Sequence, residues 1–201
     1  MKPAILAFLA TLPLAACGTT QTTIPYAPAT QPARAVQAAP VVAIGRVADA
    51  RPNAEGSARN WVGTIRGGFG NPLKQLDTTA PVADVVRDAF RDGLAARGLL
   101  APAGAPARHS LDVTIEQFNA NQMIQRAADA RFAVTLTDPR TGAVQWRGTG
   151  AGASNSTTAG SVLVGSGVFA SVEELRLTAQ RAMSDAVDNA LDAPGFRQAI
   201  R

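Results

Sequence analysis

The chain has 201 residues, a formal net charge of +4, 46% hydrophobic and 17% charged residues, a balance that suits a folded domain and excludes a disordered one. Basic residues alternate with acids, as in RDAFRDGLAAR from Arg87 to Arg97, and form no block, which excludes the clustered basic face that nucleic-acid binding needs. A single cysteine and a single histidine exclude an internal disulfide and any histidine-rich metal centre, so no cofactor is expected.

Residues 1–16 read as an export signal. Lys2 supplies a positive charge, Ala4 to Ala16 is almost wholly apolar, and the small residues Ala15 and Ala16 come last. The apolar run is roughly thirteen residues, against about twenty for a membrane-spanning helix. At Leu14 to Cys17 the sequence LAAC resembles the lipobox of bacterial lipoproteins. That resemblance implies cleavage before Cys17 and acylation of its sulfur and new amino group, palmitate among the chains; an ordinary secretory signal with a chance cysteine is the other reading. Each buried methylene contributes about 0.8 kcal/mol, so one chain binds a membrane reversibly while two or more hold it stably. An acylated Cys17 would leave no thiolate for catalysis or metal binding. Gly18 stands where an aspartate would imply retention in the inner membrane, so the lipoprotein likeness implies the outer membrane, facing the periplasm.

After Cys17, the stretch 18–40 is rich in proline, alanine, threonine and glutamine and has no apolar period that a core could use. It reads as a semi-extended tether, with residues 41–201 as one periplasmic domain. Residues 40–51, PVVAIGRVADAR, read as a largely buried strand, and 60–77 as two short strands around a glycine-rich turn. The spacing of Val82, Val85, Val86, Ala89, Phe90 and Leu94 predicts an amphipathic helix, begun near Pro81 and capped by Gly98. In SLDVTIEQF, Leu111, Val113 and Ile115 alternate with Asp112, Thr114 and Glu116, a strand with one wet face. Phe132, Val134 and Leu136, the turn DPRTG, then Val144 and Trp146 predict a hairpin. Ser171 and Glu174 form a capping-box pattern ahead of an apolar stripe from Leu175 to Leu191. The expected fold is α+β, a single domain with two helices packed on one face of a mainly antiparallel sheet.

The order AIGRVADAR, VGTIRGGFG, VVRDAFRDGLAARG and LDVTIEQF behind a lipobox resembles the YajG-type lipoproteins, a bacterial group without an assigned activity. The likeness covers most of 41–192. It implies a periplasm-facing binding or scaffolding module in the cell envelope, with an envelope protein as partner and no catalytic residues to carry over. An auxiliary lipoprotein of an ABC-type lipid transport system is the alternative, and an envelope hydrolase a further one.

Candidate sites are few. His109 beside Ser110 lacks a third orienting group, and a histidine at a strand's start reads as a surface residue. RGGFGN lacks dinucleotide-fingerprint spacing, and GSVLVGSG, residues 160–167, has Ser166 where a phosphate loop needs lysine; a loop, a strand bend or an anion site are its readings. Asp49 and Arg51, two apart, could form a charged rim for a partner or an ion pair fixing the strand's exit. Trp61 and Phe69 could be an exposed aromatic anchor for a partner protein or part of the core. The reading is therefore of a non-enzymatic chain with lipidation at Cys17 and candidate partner contacts at Asp49, Arg51, Trp61 and Phe69.

Overall fold

The computed structural model describes residues 18–32, 41–52, 56–156 and 170–201. Seven strands form one sheet: β1 (Gly18–Thr22), β2 (Val42–Asp49), β3 (Trp61–Arg66), β4 (Pro72–Thr78), β5 (His109–Gln122), β6 (Arg126–Thr137) and β7 (Val144–Ser156). A short 3-10 turn, Gly56–Asn60, leads into β3, and three helices follow the chain, α1 (Val82–Ala96), α2 (Val172–Leu191) and α3 (Pro194–Ala199).

The strand order is β1-β4-β3-β5-β6-β7, with β2 paired to β5 beside β3. The β3–β4 hairpin and the β5–β6–β7 meander are antiparallel, as the turn signals require. Three pairings are parallel: β1 with β4, and both β2 and β3 with β5. The sheet is therefore mixed, which corrects the expectation of a mainly antiparallel one. The reason lies in β5, whose fourteen residues are long enough to take β2 along its first half and β3 along its end. A parallel neighbour arrives by a crossover, and crossovers leave no local sequence mark of the kind a hairpin turn does.

A bulge between Ile115 and Gln117 lets one strand serve the core twice. Before it, Leu111, Val113 and Ile115 point inward; after it, Phe118 and Ala120 do, because the extra residue Glu116 shifts the alternation by one. Phe118 thus reaches Phe132 edge-on, with ring centroids 6.5 Å apart, and Phe132 meets Phe90 of α1 at 5.7 Å. Both long helices cover this face; the other face, with Asp129, Arg131, Arg147 and Asn155 exposed, is open to water.

The helix ends follow the sequence. Arg97 closes α1, Gly98 takes φ +71°, and Leu99 N–H donates to Leu94 O at 2.9 Å while Gly98 N–H donates to Ala95 O at 3.0 Å, a Schellman ending that only glycine adopts without strain. Ser171 Oγ accepts from Glu174 N–H at 3.4 Å at the start of α2. The glutamate's carboxylate goes elsewhere, to Arg126 on β6. Helix α3 was not foreseen: Phe196 is fully buried and stacks edge-on against Trp146 at 5.5 Å.

Strand β7 runs ten residues beyond Trp146, through the glycines that follow it. Gly150 and Gly152 face α2, and a Cβ on Gly150 would stand 2.1 Å from Ala186 O, one on Gly152 2.2 Å from Ala182 O. Glycine on the strand and alanine on the helix set the distance between the layers. Gly150→Val is expected to push α2 off the sheet and lower the unfolding free energy by about 3 kcal/mol. Thr149→Val, on the open face, should change it by under about 0.5 kcal/mol in the same urea titration.

Candidate functional site

The segment before the domain is where sequence and structure part most. Gly18 lies opposite Lys74 and Thr22 opposite Thr78, so β1 extends the sheet at its β4 edge. The chain then turns onto the helices. Ile24 is buried, Ala27 N–H donates to Ser184 Oγ at 3.0 Å, and Gln180 Nε2 donates to Pro25 O at 3.0 Å. Residues expected to be a tether are thus bound to the domain from Gly18 to Ala27, while Cys17 and residues 33–40 lie outside the described residues. The apolar anchors of this docking are Ile24 and Tyr26, and two residues make no period that sequence reading could detect.

Tyr26 ends in a buried charge cluster. Its hydroxyl donates to Asp188 Oδ1 at 2.5 Å and accepts from Arg97 Nη1 at 3.3 Å. Arg97, 3% exposed, donates to both carboxylate oxygens of Asp192 at 3.0 and 2.7 Å, to Asp188 Oδ1 at 2.8 Å and to Gly93 O at 3.0 Å. Burial alone would lower the guanidinium's pKa, but the bonds from Asp192, Tyr26 and Asp188 outweigh it and the net direction is up. Burial also raises Asp192, yet Arg97 and Arg197 together bring it below the usual carboxylate range. Tyr26 is pushed up to about 12, first by burial and then by its bond to the Asp188 carboxylate.

Asp49 and Arg51 meet as a nearly buried ion pair. Arg51 Nε and Nη2 each donate to one oxygen of Asp49 at 2.8 Å, and Nη1 donates to Trp61 O at 2.8 Å and Phe118 O at 3.1 Å. The guanidinium therefore fills the place where β2 leaves the edge of β5 and β3 takes it over. Trp61, half-buried, donates from its indole to Thr64 Oγ1 at 3.2 Å. Phe69 lies at the far end of β3, in the turn to β4, and is fully exposed at 102%. The structure gathers Asp49, Arg51 and Trp61 in one strand junction and leaves Phe69 apart from them.

His109 corrects its expectation as a surface residue. It is 3% exposed, its Nδ1 meets Gln145 Oε1 across the sheet, and Nε2 is buried without a partner among the described residues. Val42 of β2 lies opposite it and Gln145 of β7 reaches its ring, so the strand's start is interior. GSVLVGSG lies outside the described residues. Clefts of about 240 and 330 Å³ flank the N-terminal segment; the first runs from Ile24 and Tyr26 to Asp88 and Arg91, the second from Ala27 to Leu177 and Arg181. Among the described residues, no group of three or more histidine, cysteine or acidic side chains is placed to hold a metal ion. No helix among them is long and apolar enough to cross a membrane.

No family model and no curated protein matches the chain. Among solved structures, a Xanthomonas campestris protein of the DUF330 family model is similar, with 13% identity and a TM-score of 0.59 over 90% of this chain and 98% of that one. An uncharacterised protein is similar at 10% identity and a TM-score of 0.50, over 90% and 97%. A candidate lipoprotein of Caulobacter crescentus CB15 matches at 15% identity and a TM-score of 0.43, over 58% and 82%. At such identities the first two share a fold with this chain. The motif likeness to YajG-type lipoproteins has no matching family model behind it.

Two measurements check the geometry. The chain has one tyrosine, so tyrosinate absorbance reads Tyr26 alone. Its midpoint should lie near 12, and because the folded value exceeds the unfolded one, of about 10, stability should be complete below that lower value and fall as pH rises through the folded one. Arg51→Met should cost about 3 kcal/mol by leaving Asp49 and two carbonyls unpaired. Arg51→Lys should restore only part of that, since an ammonium cannot reproduce the planar fork.

Proposed function

We propose that the chain is an outer-membrane-anchored lipoprotein whose periplasmic domain binds or scaffolds other envelope components without catalysing a reaction. The observation that carries this reading is the LAAC stretch, Leu14 to Cys17, which closes an apolar run too short to span a membrane. Gly18, the next residue, pairs with Lys74 at the edge of the sheet, so acylation at Cys17 would attach lipid one residue from that edge.

The polar groups that could have suggested chemistry are taken up within the fold. Arg51 and Asp49 fix a strand junction, Arg97 joins the helices, and His109 is interior. What remains accessible is surface: the open polar face of β5, β6 and β7, which runs the length of the three longest strands. A partner protein could lie against its exposed Asp129, Arg131 and Arg147 without disturbing the core.

The test is the intact mass of the mature chain isolated from bacterial membranes. A chain beginning at Cys17 and carrying diacylglycerol and a further acyl group is expected, with Cys17→Ala leaving unprocessed precursor. A free thiol on a soluble product would overturn the anchor. Photo-crosslinkers placed at Arg131 and Arg147 should yield a reproducible protein adduct that the Cys17→Ala chain loses; no adduct from either position would overturn the role given to this face.

A further inference from the structure

The described residues expose five large hydrophobic side chains, and three of them, Phe69, Met123 and Ile124, belong to two neighbouring hairpin turns at one end of the sheet. The register fixes this. Ile65, near the end of β3, lies opposite Gln122, the last residue of β5, so the turn of residues 67–71 and the turn of residues 123–125 project side by side. Phe69 is 102% exposed, Ile124 65% and Met123 52%, values that place an aromatic and two aliphatic side chains in water at the tips of rigid hairpins. The turns are braced from within: Arg66 Nη1 donates to Gly70 O at 3.1 Å, and Arg126 Nε donates to Gln122 Oε1 at 3.1 Å.

The same end of the sheet receives the start of the chain. Gly18 pairs with Lys74, which itself pairs with Ile65, so Gly18, Lys74, Ile65 and Gln122 stand in one row across β1, β4, β3 and β5. Three strand spacings, about 14 Å, separate the first from the last. Cys17 is bonded to Gly18 along the chain. Charge agrees with this placement. From Arg66 to Lys74 and from Gln122 to Arg126 there are three basic residues and no acid; of these, Arg126 is buried in an ion pair with Glu174 and Lys74 Nζ donates to Ala170 O at 2.9 Å, which leaves Arg66 as the half-buried cation beside Phe69. The nearest acids on α2 are engaged, Glu174 with Arg126 and Glu173 with Arg176.

We infer that this rim is a second membrane contact: Phe69, Met123 and Ile124 enter the interfacial zone of an anionic bilayer beside the acylated Cys17, with Arg66 at the level of the headgroups. Apolar side chains flanked by cations are the composition that lies in a lipid interface. The inference rests on the lipid-anchor reading of Cys17. It adds an orientation, because an anchor at one corner and two hairpin tips about 14 Å away hold the sheet upright. The domain then stands on the membrane rather than swinging from it.

The test uses the full chain, processed in a bacterium and reconstituted in vesicles of phosphatidylethanolamine and phosphatidylglycerol. Phe69→Cys, Met123→Cys and Ile124→Cys are each labelled with an environment-sensitive dye, and Val144→Cys, exposed at the opposite end of the sheet, is the control. Brominated lipids should quench the three rim dyes several-fold more strongly than the control dye and shift their emission to the blue. Equal quenching at rim and control on an acylated chain would overturn the rim, as would a blue shift already present in detergent and indifferent to bromine, which would mean that protein covers it. The unsubstituted chain reports the anchor separately. Acylated, it takes no dye; labelling at Cys17 would overturn the anchor reading and the rim's role with it.

Discussion

All five N–H donors of the Arg97 guanidinium are engaged, although the side chain is 3% exposed. It stands at the end of α1, draws in two carboxylates from the last turns of α2, and reaches the hydroxyl of Tyr26 on the N-terminal segment. Burying such a charge is costly unless every donor finds an acceptor, and here the acceptors come from three separate parts of the chain. The arrangement is therefore all or nothing. Where Arg97 is satisfied, the angle between the helices and the path of residues 24–27 are fixed together. That path brings β1 to the edge of β4, with Gly18 opposite Lys74.

Close contact between α2 and β7 is the second constraint, and it is one of shape. Glycines at 150 and 152 let helical carbonyls approach to distances that any side chain would block. Alanines at 182, 186 and 190 meet them, all buried at 0–1% exposure. Small residues offer little apolar area per side chain, so their contribution is the approach itself: many backbone and Cβ atoms at van der Waals distance, with Phe90, Phe118 and Phe132 filling the wider space at the centre of the sheet. Trp146 and Phe196 close the other end of the same layer. A sheet covered on one side in this way leaves its second face polar and available.

Legibility along the chain followed the range of each interaction. The α1 stripe and its Gly98 ending, the Ser171 cap and the DPRTG turn are all written within a few residues, and each stands where its residues predict it. Residues 18–27 have the composition of a linker, and only the pairing with β4 and contacts across some 155 to 162 positions, to Gln180, Ser184 and Asp188, bind them to the domain. The glycines after Trp146 have no local reason, since what they meet is a helix: Gly150 faces Ala186 and Gly152 faces Ala182, thirty or more residues away. Asp49 and Arg51 were readable as a pair, being two apart on a strand; the carbonyls of Trp61 and Phe118 that complete their role were not.

Sequence alone determined the local elements from β2 to α2, the wet and dry faces of the long strands, the absence of a histidine or cysteine pair, and the LAAC stretch whose likeness to a lipobox implies an anchor. Each of these is set by periodicity, by backbone preference or by composition. Tertiary structure alone decided that the sheet is mixed, that His109 is interior, that Gly18–Thr22 within the expected tether form a strand, and that Phe69, Met123 and Ile124 share one end of the sheet with Gly18. Those outcomes depend on which distant segments pair and in what register, and register is an energy of contacts between strands rather than a property of either strand by itself.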